Sequence, residues 1–200
     1  MGYGTSLYML DVGKLQAIFG SKDMTLLDQL KQRYADRFTG NASHFATEIT
    51  AGAPSLDQAL GEIIAGSIPP EKVGFADRLK ATLFGKIHKP RFGFQYGYAL
   101  EVLCISIGRM VADGDSLGMI AELDIDTLLS EDRQPIPIPA AADFPSISYV
   151  THQEIEQEWE QVSTAEALSE DDEFADDRKK LVTCLDEARK QKLGLVGFYY

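Results

Sequence analysis

The sequence has few cysteines. Only Cys104 and Cys184 occur among its 200 residues, and each lies in an apolar, helix-like stretch. Cysteines of this kind are typical of small buried hydrophobic residues in a reducing compartment, and a disulfide or a reactive thiol is the alternative. The paired cysteines of a zinc site are absent. A chain of this length buries enough apolar surface to fold without a disulfide or a metal.

Long hydrophobic runs are also absent. The most apolar stretch, residues 98–111, is interrupted by Glu101, Gly108 and Arg109 and is too short and too polar to span a bilayer. The first four residues, MGYG, contain neither the basic region nor the apolar region of a signal peptide. We therefore expect a cytoplasmic protein that does not act at a membrane.

Lysine and arginine are missing from residues 134–177, which hold twelve Asp and Glu residues. This segment accounts for the whole formal charge of −12, because the rest of the chain balances 19 acidic against 19 basic residues. The pattern argues against nucleic acid and against an anionic membrane surface as partners. It allows a basic protein partner.

Two interpretations of this acidic segment stay open. Charge runs are usually a solvated helix face with a mobile loop. The alternative is an acidic docking surface, as in small proteins that neutralise basic nuclease toxins by electrostatically steered association. The candidate partner surface then comprises Glu154, Glu158, Glu170, Asp171, Asp172 and Glu173.

Motifs for catalysis or for cofactors are absent from the sequence. There is no G-x-S-x-G elbow, and the glycines of residues 2–5 precede a predicted strand, whereas a phosphate loop follows one. Asp113 and Asp115 lack the spacing of a calcium loop. His44 and Glu48 share a helical face, but no second histidine pair accompanies them. We predict no catalytic motif, no metal and no cofactor.

The pattern of predicted elements indicates an α+β fold. Residues 5–10 and 195–200 are expected as strands that pair in one small sheet, covered by several helices. Helices are predicted over residues 22–38, 56–65, 75–84, 92–111, 152–162 and 170–190, and residues 134–148 are expected to be extended and irregular. Ser55 with Gln58, and Thr151 with Glu154, have the spacing of capping boxes. We expect one domain over residues 1–200 with the acidic segment as an insertion-like part.

Polar side chains on the most apolar predicted helix form a candidate pocket. A buried glutamate beside two tyrosines is suited to acid–base chemistry. A hydrogen-bonded core polar group that orients the helix is the simpler interpretation. The candidate residues are Arg91, Gln95, Tyr96, Tyr98 and Glu101.

Several stretches together resemble a known family. They are GTSLY at residues 4–8, GSKD at 20–23, GAP at 52–54, FQYGYAL at 94–100 and GLVGF at 194–198. They are similar to a family of uncharacterised bacterial proteins known as a domain of unknown function, and the C-terminal stretch is more loosely similar to the YfbM-like family. The resemblance covers the chain to about residue 108 and the last thirty residues. It implies a fold and a bacterial source but supplies no catalytic residues.

Three functional hypotheses follow. The first is a non-enzymatic binding or protein-interaction module, with toxin immunity or another defence role as its specific form. The second is a small enzyme whose pocket is lined by the helix at residues 91–101. The third is a structural role in which exposed Phe198, Tyr199 and Tyr200 mark a self-contact. The sequence does not fix the oligomeric state.

Overall fold

The computed structural model describes residues 4–69, 92–112, 133–141, 144–164 and 175–200. Within them lie eight helices and four strands, which confirms the predicted α+β class. In chain order the elements are β1 (Thr5–Leu10), α1 (Val12–Ile18), α2 (Met24–Arg33), α3 (Ala35–His44), α4 (Ala46–Thr50), α5 (Leu56–Ala65), α6 (Gly93–Ile107), β2 (Arg109–Ala112), β3 (Ser146–Val150), α7 (His152–Thr164), α8 (Ala175–Gln191) and β4 (Gly194–Tyr199).

The chain divides into two compact units. The sheet unit takes its residues from Met1–Ala17, Glu101–Pro137 and Pro145–Tyr200, and the helical unit from Ile18–Leu100 and Ile138–Phe144. Helix α6 therefore contains residues of both units. The single domain expected from the length of the chain stays a prediction.

An antiparallel sheet organises the sheet unit, with the strand order β2-β1-β4-β3. Strands β1 and β4 pair from Thr5 opposite Tyr199 to Leu10 opposite Gly194. This confirms that the N- and C-terminal strands share one sheet. All six residues of β1 are buried, so side chains on both faces of this strand are covered.

One face of the sheet packs on helices α7 and α8. Because side chains alternate along a strand, Leu7 and Met9 point to the same face, where Leu195 joins them from β4. The helices add apolar side chains at helical spacing to the same core cluster. These are Ile155 and Val162 from α7 and Leu181, Val182, Leu185 and Ala188 from α8.

Both predicted capping boxes are present. Gln58 N–H donates to Ser55 Oγ at 3.2 Å, and Ser55 N–H donates to Gln58 Oε1 at 2.9 Å. Thr151 N–H likewise donates to Glu154 Oε2 at 2.8 Å, and Glu154 N–H donates to Thr151 Oγ1 at 3.3 Å. Each box satisfies two backbone donors at a helix start, so these two helices begin where the sequence predicts.

The predicted helix over residues 22–38 is wrong in its continuity. It is divided into α2 and α3 at Tyr34, whose φ of −115° and ψ of 29° lie outside the helical range. Helix α2 also begins two residues later than predicted, because its N-cap is Asp23, whose Oδ1 accepts the N–H of Leu26 at 3.0 Å.

The predicted helix over residues 92–111 is wrong at its end. Helix α6 stops at Ile107, and the chain turns at Gly108 into strand β2, which pairs with β1. A Cβ at Gly108 would lie 2.7 Å from the carbonyl oxygen of Met9, so a residue without a side chain is needed at this turn. The apolar run in the sequence does not distinguish a helix end from a strand that follows it.

Other predictions meet the structure only in part. Residues 133–141 contain no helix or strand, but β3, at Ser146–Val150, begins inside the segment expected to be irregular and pairs with β4. The predicted helix over residues 75–84 lies outside the described residues.

In the described part of the chain, no helix combines the length and apolar character needed to cross a membrane.

Candidate functional site

Glu101 lies in the core of the sheet unit. Its side chain is 2% exposed, and its Oε1 accepts a hydrogen bond of 2.7 Å from the hydroxyl of Tyr8 on β1. The Tyr8 ring in turn meets Phe198 of β4 edge-on, with 5.8 Å between ring centroids. This arrangement favours a core polar group that connects a helix to the central strands.

Gln95 is completely buried in the helical unit. Neither atom of its side-chain amide has a hydrogen-bond partner among the described residues. An amide that is buried without a partner retains the full cost of leaving water, which lowers the stability of the fold. The sequence shows a polar residue in an apolar helix but gives no means of telling a satisfied amide from an unsatisfied one.

Tyr96 is 5% exposed, and its hydroxyl donates a hydrogen bond of 2.5 Å to Glu62 Oε2 on α5. Burial raises the pKa of Tyr96 well above its usual value, and the hydrogen bond and the charge of Glu62 raise it further. The phenol therefore stays protonated and acts as a donor. It ties α6 to α5 within the helical unit.

Tyr98 belongs to an aromatic cluster in the helical unit. Its ring centroid lies 5.4 Å from that of Phe45 and 6.3 Å from that of Phe94, and Phe45 and Phe94 are 4.8 Å apart. Phe45 also contacts the ring of His44 edge-on at 4.6 Å. Arg91, the remaining residue of the candidate pocket, lies outside the described residues.

An open cavity of about 330 Å³ adjoins this cluster. It is formed by α3, the start of α5 and α6. We call it the α3 groove, and its lining consists of Arg37, Gly40, Asn41, His44, Phe45, Leu56 and Tyr98. Of the predicted pocket residues that the structure describes, Tyr98 lines this groove. The residues from α3 could not be assigned to this site from the sequence, because their proximity to Tyr98 depends on helix packing.

Two glutamates of helix α7 are paired with other groups of the chain. Glu154 is held inside the capping box with Thr151 and forms an ion pair with Arg133. Burial alone would raise the pKa of Glu154, but the hydrogen bonds from Thr151 and Arg133 outweigh it and lower the pKa. Glu156 lies 3.5 Å from a guanidinium nitrogen of Arg189.

Glu158 is half-buried and takes part in none of the ion pairs formed within the described residues. Glu170, Asp171, Asp172 and Glu173 lie outside them. The structure thus places two members of the candidate partner surface on α7. Of these, Glu154 caps its own helix and forms an ion pair with Arg133.

The two cysteines are free thiols, with Cys104 buried and Cys184 half-buried. Burial raises the pKa of Cys104 well above its usual value, and the charge of Glu101 adds to the effect. Burial also raises the pKa of Cys184. Because the thiolate is the nucleophile, neither environment activates a cysteine. Across the part of the chain that the structure describes, no group of three or more His, Cys, Asp or Glu residues is arranged to hold a metal ion.

The prediction that Phe198 is exposed and marks a self-contact is wrong. Phe198 is 0% exposed and packs inside the sheet unit, because its position opposite Ser6 directs its side chain into the core. Tyr199 and Tyr200 are half-buried. These three residues therefore do not form an exposed aromatic patch.

The chain matches the model of one protein family over residues 1–200, and that family is described as a domain of unknown function, DUF7691. No match was found among curated proteins or among solved structures. The family match confirms the resemblance to an uncharacterised domain family, whereas the bacterial source and the likeness to the YfbM-like family stay predictions. By this match along its whole length, the chain belongs to the family DUF7691.

Proposed function

We propose that this chain is a non-enzymatic protein-interaction module that binds a basic protein through the acidic segment at residues 134–177. The observation that carries the proposal is the distribution of charge. Helix α7 presents four glutamates and no lysine or arginine, within a segment that holds the entire formal charge of −12. A surface of one sign accelerates association with a partner of the opposite sign.

The contacts of helix α7 support a ranking of its carboxylates within this proposal. Glu154 is used by its own cap and by Arg133, and Glu156 is shared with Arg189. Glu158 and the acids at residues 170–173 are then the members of the candidate surface on which binding should depend most. A basic nuclease toxin is a partner with suitable charge, and immunity to such a toxin is the specific role that we propose.

The alternative of a small enzyme depends on Glu101 as an acid or a base. Its carboxylate is 2% exposed and accepts a hydrogen bond from the hydroxyl of Tyr8 in the core. General acid–base catalysis requires the group to reach a substrate atom at hydrogen-bond distance. The packing of Glu101 therefore supports the binding role over catalysis.

Pull-down from the native host, with the partners identified by mass spectrometry, tests the proposal. The test variant carries Glu158→Gln together with Glu170→Gln and Glu173→Gln. The control variant carries three changes in the helical unit and loses the same charge, at Asp28→Asn, Asp36→Asn and Glu48→Gln. All three control positions are exposed.

We expect the wild type and the control to retain the same basic protein at low salt. The test variant should lose it, and high salt should release it from all forms, because exposed charges are screened beyond about 10 Å at 0.1 M salt. Equal retention of that partner by the test and control variants would contradict the proposal. So would the absence of any basic protein among the partners.

A further inference from the structure

The side chain of Arg189 occupies a site that helices α7 and α8 build within the sheet unit. Its guanidinium carbon lies 4.8 Å from the ring centroid of Trp159 on α7. One guanidinium nitrogen lies 3.5 Å from Glu156 of α7, and the other donates a hydrogen bond of 3.2 Å to Asp186 of α8. An aromatic face with carboxylates beside it is an arrangement that recognises arginine. We call Glu156, Trp159 and Asp186 together the arginine site.

Arg189 fits the arginine site incompletely. Its Nε is buried and has no hydrogen-bond partner among the described residues. The 3.5 Å contact with Glu156 is longer than the usual hydrogen bond of about 2.7–3.2 Å. Asp186 also forms an ion pair with Lys190 and lies three positions from Arg189 on the same helix. Arg189 therefore does not reach the two parallel hydrogen bonds to one carboxylate that bind a guanidinium most strongly.

The side chains of the arginine site permit an exchange of its occupant. Glu156 is exposed, and the side chain of Arg189 is 27% exposed. The half-buried ring of Trp159 packs against the core cluster of the sheet unit, so its position is fixed before a ligand arrives. A rigid binding surface loses little conformational entropy on association. Rotation of the Arg189 side chain into solvent is then enough to open the site, without movement of either helix.

We propose that the arginine site binds an arginine side chain of the basic partner, and that Arg189 occupies the site in the absence of that partner. This inference rests on the proposed function, because it identifies the side chain by which the partner is recognised. The exchange gives the guanidinium of the partner both the Trp159 ring and the carboxylate of Glu156. Lysine lacks the planar group that stacks on a ring and pairs with a carboxylate at two points. The site therefore selects arginine over lysine.

Binding of two fluorescently labelled peptides to the full chain tests this proposal. One peptide consists of four Gly-Arg repeats and the other of four Gly-Lys repeats, so the two have the same charge. Fluorescence anisotropy at low salt measures both affinities, and the emission of Trp159, the only tryptophan of the chain, reports on the site itself. We expect the arginine peptide to bind about fivefold more tightly and to change that emission. Equal affinities, or no binding by either peptide, would overturn the proposal.

Three variants locate the site. Arg189→Gln removes the internal occupant, so it should strengthen binding of the arginine peptide by about fivefold or more. Lys179→Gln makes the same change of charge at an exposed position of the same helix, and it should strengthen binding by less than about twofold. Adding Glu156→Gln to Arg189→Gln should reverse the gain, and the exposure of Glu156 makes this change compatible with folding. Equal effects of Arg189→Gln and Lys179→Gln would overturn the assignment of the site.

Failure of this inference is distinguishable from failure of the proposed function. Retention of a basic host protein, together with equal affinities for the two peptides, would overturn the arginine site and leave the proposed function standing. Absence of a basic host partner, together with a preference for the arginine peptide that depends on Arg189, would overturn the proposed function and support the arginine site.

Discussion

The hydroxyl of Tyr8 donates a 2.7 Å hydrogen bond to the carboxylate of Glu101, and both side chains are buried, at 1% and 2% exposure. The two residues are 93 positions apart in the sequence. The bond therefore fixes helix α6 against strand β1 inside the sheet unit. A polar contact in such a position has one preferred geometry, whereas apolar contacts tolerate small shifts.

Replacing Tyr8 by phenylalanine should lower the free energy of unfolding by about 1–3 kcal/mol, because a buried carboxylate loses a hydrogen-bond donor. Tyr34→Phe is the matched control, since the buried hydroxyl of Tyr34 has no partner among the described residues. That change should be neutral or stabilising. Urea denaturation of both variants measures the difference, and equal destabilisation by the two changes would contradict this account of Tyr8.

Gln95 should be a site at which a substitution stabilises the protein. Its amide is 0% exposed and has no partner among the described residues. Gln95→Met keeps a similar length and removes the buried polar atoms, so it should raise the free energy of unfolding by about 1–2 kcal/mol. Gln95→Glu should do the opposite, because it buries an ionisable group. Thermal and urea denaturation measure both, and a loss of stability in Gln95→Met would show that the amide has a partner.

The cap of helix α7 should make stability depend on pH. Hydrogen bonds from Thr151 and Arg133 lower the pKa of Glu154, against the effect of its burial. A lowered pKa in the folded state stabilises the protein above the unfolded value of about 4.5, and that stabilisation is lost as the pH falls through the lowered pKa. The advantage of the wild type over Glu154→Gln should therefore be constant near neutral pH and shrink below about pH 4.5.

Urea denaturation of both proteins across this pH range measures the effect. Glu158→Gln removes the same charge one turn later without touching the cap, and it serves as the control. A difference between wild type and Glu154→Gln that does not change with pH would contradict the role of the carboxylate. Separately, Thr151→Ala should cost about 1 kcal/mol at neutral pH, as is usual for the loss of an N-cap.

Two glycines should respond in opposite directions to alanine. A Cβ at Gly194 would overlap the carbonyl oxygen of Val150 and lie 2.7 Å from Cγ2 of Val12. Gly194→Ala should therefore destabilise the sheet unit by about 1–3 kcal/mol or more. Gly40→Ala, which meets no atom within 4 Å, should stabilise by about 0.5–1 kcal/mol through helix propensity. Melting temperatures of the two variants test this, and a shift in the same direction for both would contradict it.

The features that the sequence predicted well depend on short-range chemistry. The capping boxes at Ser55 and Thr151 involve residues three positions apart, so their spacing in the sequence is enough to identify them. The strands at both ends were recognisable by their β-prone composition. The simplest architecture for that order of elements pairs the two strands in one small sheet, which the helices then cover.

The features that were missed depend on contacts between distant residues. Strand β2 exists because Arg109–Ala112 pairs with β1 across about a hundred positions, and its apolar sequence alone is equally compatible with a helix. The break at Tyr34 also has no marker such as proline or glycine. For the candidate site, the sequence identified Tyr98 and Glu101 but neither the α3 residues nor Tyr8 as their neighbours, because helix packing and strand register determine both.

The pairing of β1 with β4 at the centre of the sheet has a consequence for folding kinetics. Nearly the whole sequence lies between these two strands, so the central pair forms only by closing a very long loop, and the entropic cost of closing it opposes folding. During synthesis, β1 leaves the ribosome long before β4 is available as its partner. A circular permutant with a short linker between Tyr200 and Gly4, whose backbones exchange hydrogen bonds of 2.9 and 3.3 Å, would convert this most distant pair into a local hairpin and should fold faster than the natural order.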